Sequence, residues 1–248
     1  MIILSILFFI TAILYSSVGF GGGSTYLALL LIWDIPYYIF PVIALLCNII
    51  VVTGNSINYI RAGNYNLKLL TPFLLGSIPL AFIGGTLFIK KEVFEILLFL
   101  VLTIAGLLLL KNNKSYEEKN LKIKKLNKFL SFFIGSFLGF ISGVIGIGGG
   151  IFLSPILFLL KAEKPRVIAT TASLFILINS FSGILGQLTK KFIFTEIINY
   201  WILFILVMIG GFIGNYINLK IFSNRILTII TSLLVIFVSM RMGYRIFL

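Results

Sequence analysis

The sequence predicts an all-α integral membrane protein built from two homologous halves, and three observations carry that prediction. Apolar side chains make up 60% of the 248 residues and charged ones 11%, with a mean hydropathy of +1.15, well outside the range of a soluble domain. Apolar runs of about 20 residues, the length of a helix crossing a ~30 Å hydrocarbon core, recur along the chain without the apolar-polar alternation of an outer-membrane strand. Finally, Gly-x-Gly-Gly-Gly interrupts an apolar segment twice, 127 residues apart: at Gly19, Gly21, Gly22 and Gly23, and at Gly146, Gly148, Gly149 and Gly150.

Charged residues and prolines divide the chain into two series of segments. The first runs 1–17, 23–33, 36–60, 68–89 and 92–110; the second runs 128–144, 150–160, 165–188, 194–219 and 222–243, with lengths in the same order. Internal duplication explains that order. The expected organisation is a first transmembrane repeat over 1–110, a basic cytoplasmic linker over 111–127 and a second repeat over 128–248. No Lys or Arg precedes Arg61, so the first run lacks the basic n-region of a signal peptide and reads as retained.

The opening pair of each half needs its own account. Residues 1–33 as one helix would be about 50 Å long, too much for one crossing and too little for two. Either the glycines break one long kinked span, or they turn a re-entrant hairpin whose half-helices meet inside the membrane. A broken span gives each half four crossings and parallel repeats; a hairpin leaves three spanning helices and inverted repeats. The hairpin is the expected arrangement, because irregular backbone at membrane depth is tolerated where it lines an enclosed cavity, which two opposed hairpins create.

The formal charge of +13 does not signal a nucleic-acid partner. Seven of the 20 basic residues fall between Lys111 and Lys128, and most others sit at segment ends, as the positive-inside rule requires. The connector therefore orients the chain, with anionic lipid headgroups as a secondary partner. Histidine is absent and Cys47 is the single cysteine, which excludes an internal disulfide and metal or haem sites built on His or paired Cys; no cofactor and no metal are expected. The seven acids, Asp34, Glu92, Glu95, Glu117, Glu118, Glu163 and Glu196, all lie near segment ends or in the linker. Intramembrane proton relays and cation sites use carboxylates, so the chain looks built for an anion. Proton coupling would have to run through the substrate or an end-placed acid such as Glu95 or Glu196. Acid-base histidine, nucleophile elbow and nucleotide loop are all missing, so no enzyme is expected.

A glycine inside a helix costs roughly 1 kcal/mol relative to alanine, so two matched triple-glycine runs call for a use of bare backbone. One use is close helix packing, the simpler account of Gly135, Gly139 and Gly143, and of Gly210 and Gly214. The other is an anion site: a helix starting after Gly23 or Gly150 presents unpaired N–H groups and a partial positive charge. Duplication at matched positions favours the site, since packing alone needs no contiguous glycines. Its candidate residues are Gly19, Gly21, Gly22, Gly23, Ser24, Thr25 and Asn48 in the first half, with Gly146, Gly148, Gly149, Gly150, Ile151, Thr171 and Ser173 in the second. The backbone of 21–25 and 148–152 would hold the ligand. Further polar residues, Thr53, Asn55 and Asn58 against Thr170, Asn179, Ser180 and Ser182, occupy the following spans. Aligning the glycine runs sets Asn48 opposite Phe175 and Thr53 opposite Ser180, so polarity is matched only loosely.

With these residues in view, the chain resembles the TauE/SafE family of membrane anion transporters, also called the sulfite exporter or TSUP family. The likeness rests on Gly143-Val144-Ile145-Gly146-Ile147-Gly148-Gly149-Gly150 followed by Ser154-Pro155, on its echo Ser17-Val18-Gly19-Phe20-Gly21-Gly22-Gly23, and on the two-half organisation; Ala28 stands where the first motif would match Pro155. The resemblance implies transport of small sulfur-containing anions or carboxylates such as sulfite, thiosulfate or sulfonates, with both glycine motifs near the pathway. The expectation is a multi-pass secondary transporter of the cell (cytoplasmic) membrane. It would move a small anion by alternating access, with lipid and its substrate as partners and homo-oligomerisation left open. An anion channel and a non-transporting membrane scaffold are the rival expectations.

Overall fold

The computed structural model describes residues 1–33, 35–111, 123–190 and 194–220, and 233, 236–237, 239–240 and 243–244 of the last segment. The centre of the polar connector (112–122), Asp34 and most of 222–243 therefore lie outside the described residues. The helices are α1 (Ile2–Val18), α2 (Gly23–Ile32), α3 (Phe40–Arg61), α4 (Leu67–Thr86), α5 (Lys91–Lys111), α6 (Lys128–Ile145), α7 (Gly150–Leu159), α8 (Pro165–Gln187), the short α9 (Phe194–Ile197) and α10 (Trp201–Lys220). Among the described residues five stretches are long and apolar enough to cross a membrane: Tyr37–Arg61, Leu67–Thr86, Lys128–Ile145, Arg166–Gln187 and Ile198–Ile217. The boundaries follow the segments read from the sequence.

Local chemistry explains the ends. Asn66 caps α4 by accepting from the Leu69 N–H at 3.1 Å, and Asn127 caps α6 by accepting from the Phe129 N–H at 2.9 Å. Pro41 and Pro165 open α3 and α8, where their missing N–H costs nothing. The α1 terminus is a Schellman turn: Gly19 is left-handed (φ 89°), its N–H donates to the Ser16 carbonyl and the Phe20 N–H to the Tyr15 carbonyl. At the α6 terminus Gly146 (φ 93°) donates only to the Ser142 carbonyl, the simpler single-bond stop.

After each stop the chain turns back. The rings of Phe8 and Tyr26 stack with centroids 4.7 Å apart, whereas a continuing helix would hold them about 27 Å apart. In the second half, a Cβ on Gly149 would stand 3.3 Å from the Leu138 carbonyl, eleven residues earlier in α6. These are hairpins, not kinked spans. The returning arms α2 and α7 have 10 residues each, about 15 Å, or half the hydrocarbon thickness.

Helix contacts obey an exchange of halves. α4 lies along α6 and α1 along α10; α4 also packs on α8 as α10 does on α3; α2 meets α3 as α7 meets α8; and α3 packs on α8. Swapping α1 with α6, α2 with α7, α3 with α8 and α4 with α10 maps this set onto itself. Small residues make the tight crossings: a Cβ on Gly139 would stand 2.5 Å from the Ser77 Cα, and Gly210 and Gly214 face the Phe9 and Ile13 carbonyls. Both glycine ladders are thus packing devices.

Candidate functional site

The two bends meet deep in the protein, on Asn48. This α3 residue is fully buried and donates from Nδ2 to the Ile147 carbonyl, inside the second bend, at 3.1 Å. Its amide also lies against the first bend: a Cβ on Gly23 would stand 2.7 Å from Nδ2, and one on Gly21 would collide with Oδ1. On the other side, a Cβ on Gly148 would stand 3.0 Å from Asn48 Nδ2 and 2.7 Å from Ile176 Cγ2. Only glycine allows both loops to close on one amide. The second half reciprocates through Ser173, whose hydroxyl donates to the Gly19 carbonyl at 2.6 Å.

Each returning arm starts on a left-handed glycine, Gly22 (φ 83°) before α2 and Gly149 (φ 75°) before α7, and neither start has a side-chain cap. The N–H groups of Gly21, Gly22, Gly23 and Ser24, and those of Ile147, Gly148, Gly149, Gly150 and Ile151, find no acceptor among the described residues. Buried unpaired N–H groups are rare and costly. Two helix N-termini therefore point their partial positive charge at one region. Asn48 Oδ1, Ser180 Oγ and Tyr26 Oη are also buried without a partner.

Around this core the first bend is polar. Tyr15 Oη lies 2.8 Å from Thr25 Oγ1 and 3.3 Å from Ser24 Oγ, bracing the first turn of α2. The second is less polar: Ile151 and Phe152 follow its glycines and a Cβ on Gly149 would stand 2.9 Å from Phe175 Cε1, with Asn48 Nδ2 and Ser180 Oγ at 3.0 and 3.3 Å from a Cβ on Gly148. Between the bends lies a hollow of about 10 Å³ lined by Tyr15, Phe20, Gly22, Ile147, Ile151 and Ile176 among others. That volume suits one water. The enclosed cavity expected from opposed hairpins is therefore present only as a seam, because the isoleucines of the second half fill it.

Of the candidates, Gly19 through Thr25, Asn48, Gly146 through Ile151 and Ser173 come together here. Thr171 is buried and returns its hydroxyl to the Val167 carbonyl in its own helix; its neighbour Ala172 presents a carbonyl to Gly150. Among the other polar candidates, Thr53, Thr170 and Asn179 bond carbonyls of their own helices, and Ser182 donates to the Ile78 carbonyl of α4. The sequence reading missed Tyr15 and the Ile147 carbonyl. A phenol four residues before Gly19 in an apolar helix was the available signal for Tyr15, since a buried hydroxyl needs a partner. No group of three His, Cys, Asp or Glu side chains placed to hold a metal gathers among the described residues.

Broken helices whose half-helix N-termini converge inside a helical membrane protein are an arrangement that secondary transporters use. The family model of the sulfite exporter TauE/SafE matches residues 4–242, and the chain belongs to that family. It is 26% identical over 232 residues to a "probable membrane transporter protein" of Sinorhizobium fredii, covering 93% of each chain. It is 29% identical over 198 residues to another protein of that description from Methanocaldococcus jannaschii, covering 76% of this chain and 73% of the relative. No solved structure matches it. The chain is thus a multi-pass membrane transporter and not an enzyme.

Proposed function

We propose that this transporter carries a small oxyanion, sulfur-containing or carboxylate, by alternating access, and that the backbone of 21–25 and 148–152 holds the ion. The observation that carries this reading is the convergence of two uncapped half-helix N-termini on Asn48, with their N–H groups unpaired. Such donors bind anions without a buried Lys or Arg. The second N–H of the Asn48 amide, not engaged by Ile147, is a further neutral donor. Ser24, Thr25 and Ser173 support the first bend, and Thr171 stands behind the second.

With the hairpins set apart, the segments read from the sequence, 222–243 among them, give three crossings in each half and inverted repeats; the exchange of contacts among the described helices supports this, with repeats at 1–110 and 128–248 joined by a cytoplasmic basic linker in the cell membrane. In an inverted pair the two bends approach the centre from opposite sides. The seam of about 10 Å³ is too small for sulfite, so binding requires the bends to part. A closed seam favours a transporter over an open channel. On α3, Asn48, Val52, Asn55 and Tyr59 share one helical face, and a Cβ on Gly19 would stand 2.8 Å from Tyr59 Oη, which closes the route beyond the first bend.

Uptake of radiolabelled sulfite, thiosulfate and acetate into proteoliposomes, with and without a proton gradient, tests the reading. Saturable uptake of at least one anion is expected. Flux equal to protein-free vesicles for all three would overturn it, and non-saturating conductance would replace it with a channel.

A further inference from the structure

A second cavity, of about 510 Å³, opens at the end of α8 opposite the connector. Its wall is largely apolar, formed by Tyr37, Pro41, Leu87, Phe88, Phe94 and Val144 among others, with Lys190 and Glu196 as its charged members. Its floor approaches the second bend. A Cβ on Gly146 would stand 2.5 Å from the Pro41 Cα, and Val144 precedes that glycine by two residues.

Lys190 is held as a cation without a counter-ion. Its Nζ donates to the Leu87 carbonyl at 2.7 Å and to Gln187 Oε1 at 2.8 Å, and lies 5.0 Å from the centroid of the Phe88 ring. Gln187 is itself fully buried and fixed by donating to the Gly143 carbonyl at 3.0 Å, three residues before Gly146. No carboxylate comes within ion-pair distance of Lys190 among the described residues. Glu196, the acid on the same wall, accepts instead from the Tyr38 hydroxyl at 2.5 and 2.6 Å. An ammonium has three donors, and neutral acceptors take two of them. Burial pushes the lysine pKa down to about 8, the response of a cation that lacks compensation.

We propose that this cavity is a vestibular binding site for an organic anion with an apolar body, whose charged head takes the remaining donor of Lys190 while its body lies against Phe88, Phe94 and Val144. The volume falls in the ~300–1,000 Å³ range of small-molecule pockets, with few polar groups on an apolar wall. A bare inorganic oxyanion would leave most of that wall unused. The inference deepens the anion reading above, on which it rests for the sign of the ligand, and sets a first binding step one residue layer from the second bend.

Calorimetric titration of the full chain in nanodiscs with 1-butanesulfonate, at pH 7 and without any gradient, tests it. Saturable binding is expected, weakened about tenfold or more in Lys190→Gln and restored in Lys190→Arg, with butylammonium failing to compete. Unchanged affinity in Lys190→Gln, or equal competition by butylammonium, would overturn it. Since Lys190 also ties α8 to the Leu87 carbonyl, thermal unfolding is followed in parallel: a lower Tm with unaltered affinity would mark a purely structural lysine and sink the proposal. Because no flux is measured, failure of the transport reading registers separately, in the vesicle assay.

Discussion

The first and second bends share a plan and differ in backbone detail, Gly148 being left-handed (φ 83°) and Gly21 not, and in their surroundings. Both stop a helix on a left-handed glycine, turn back, and restart on another, Gly22 or Gly149. Asn48 touches both; around the first stand also Tyr15, Ser24 and Thr25, and around the second Ile147, Ile151, Phe152, Phe175 and Ile176 with the Ser180 hydroxyl. Asn48 and Phe175 occupy equivalent positions in their halves, yet both are packed on glycines of a bend, one as an amide and one as a ring. The difference teaches that the two bends offer similar peptide donors in unequal surroundings, with phenol and hydroxyl groups gathered at the first and aliphatic and aromatic side chains prevailing at the second. An anion held by donors common to both bends would take its selectivity from the first and its exclusion of water from the second.

The largest expected effect comes from breaking the shared backbone. Gly22→Val and Gly149→Val each force a β-branched residue into the left-handed region, at roughly 1–2 kcal/mol of strain, and push a side chain onto Tyr26 and Thr11 or onto Phe175. Vesicle uptake should fall at least a hundredfold in both, with membrane insertion retained; loss in one variant alone would show that the bends are not functionally paired. Next, Asn48→Asp places a carboxylate among the unpaired N–H groups and should weaken anion uptake about tenfold or more, whereas Phe175→Asn, which makes the second half resemble the first, should leave uptake within about threefold. Equal losses in the two would remove the asymmetry.

A pH series separates the bends from the vestibule. The bends carry no Lys, Arg, Asp or Glu, whereas Lys190 has a pKa lowered to about 8 and shares its cavity with Glu196, Tyr37 and Tyr38. The charged lysine is the binding form, so butanesulfonate affinity should be steady below about pH 7 and fall as pH rises through about 8, a decline that Lys190→Arg abolishes. The smallest effect is expected for Tyr15→Phe, which removes the hydroxyl from Ser24 and Thr25. Each such intramembrane hydrogen bond is worth about 0.6 kcal/mol, or about a threefold change in uptake affinity.

Much of this arrangement was legible beforehand. The ends of α2 and α7 follow from contiguous glycines, which no helix interior tolerates cheaply, and the caps at Asn66 and Asn127 are local signals of the same kind. The glycine ladder of α6 was readable as a packing surface because spacing by four keeps one helical face small. What escaped was everything set by partners far along the chain. Ser173 meets Gly19 across 154 residues and Asn48 meets Ile147 across 99, and neither spacing carries a periodic signature. The choice between hairpin and kinked span also depended on a distant contact. It was decided by Phe8 stacking on Tyr26, a contact available only when the chain reverses.

By itself the sequence determined that this chain lives in lipid, is helical and breaks at two glycine runs, because transfer free energy and helix propensity act over a few residues at a time. Only the tertiary structure decided that both breaks close on a single amide, that the seam between them admits one water, and that Lys190 meets neutral acceptors but no carboxylate among the described residues. Those features depend on which side chains fill the space between helices, and in lipid that is settled by close packing and hydrogen-bond satisfaction between distant segments rather than by hydrophobic pattern.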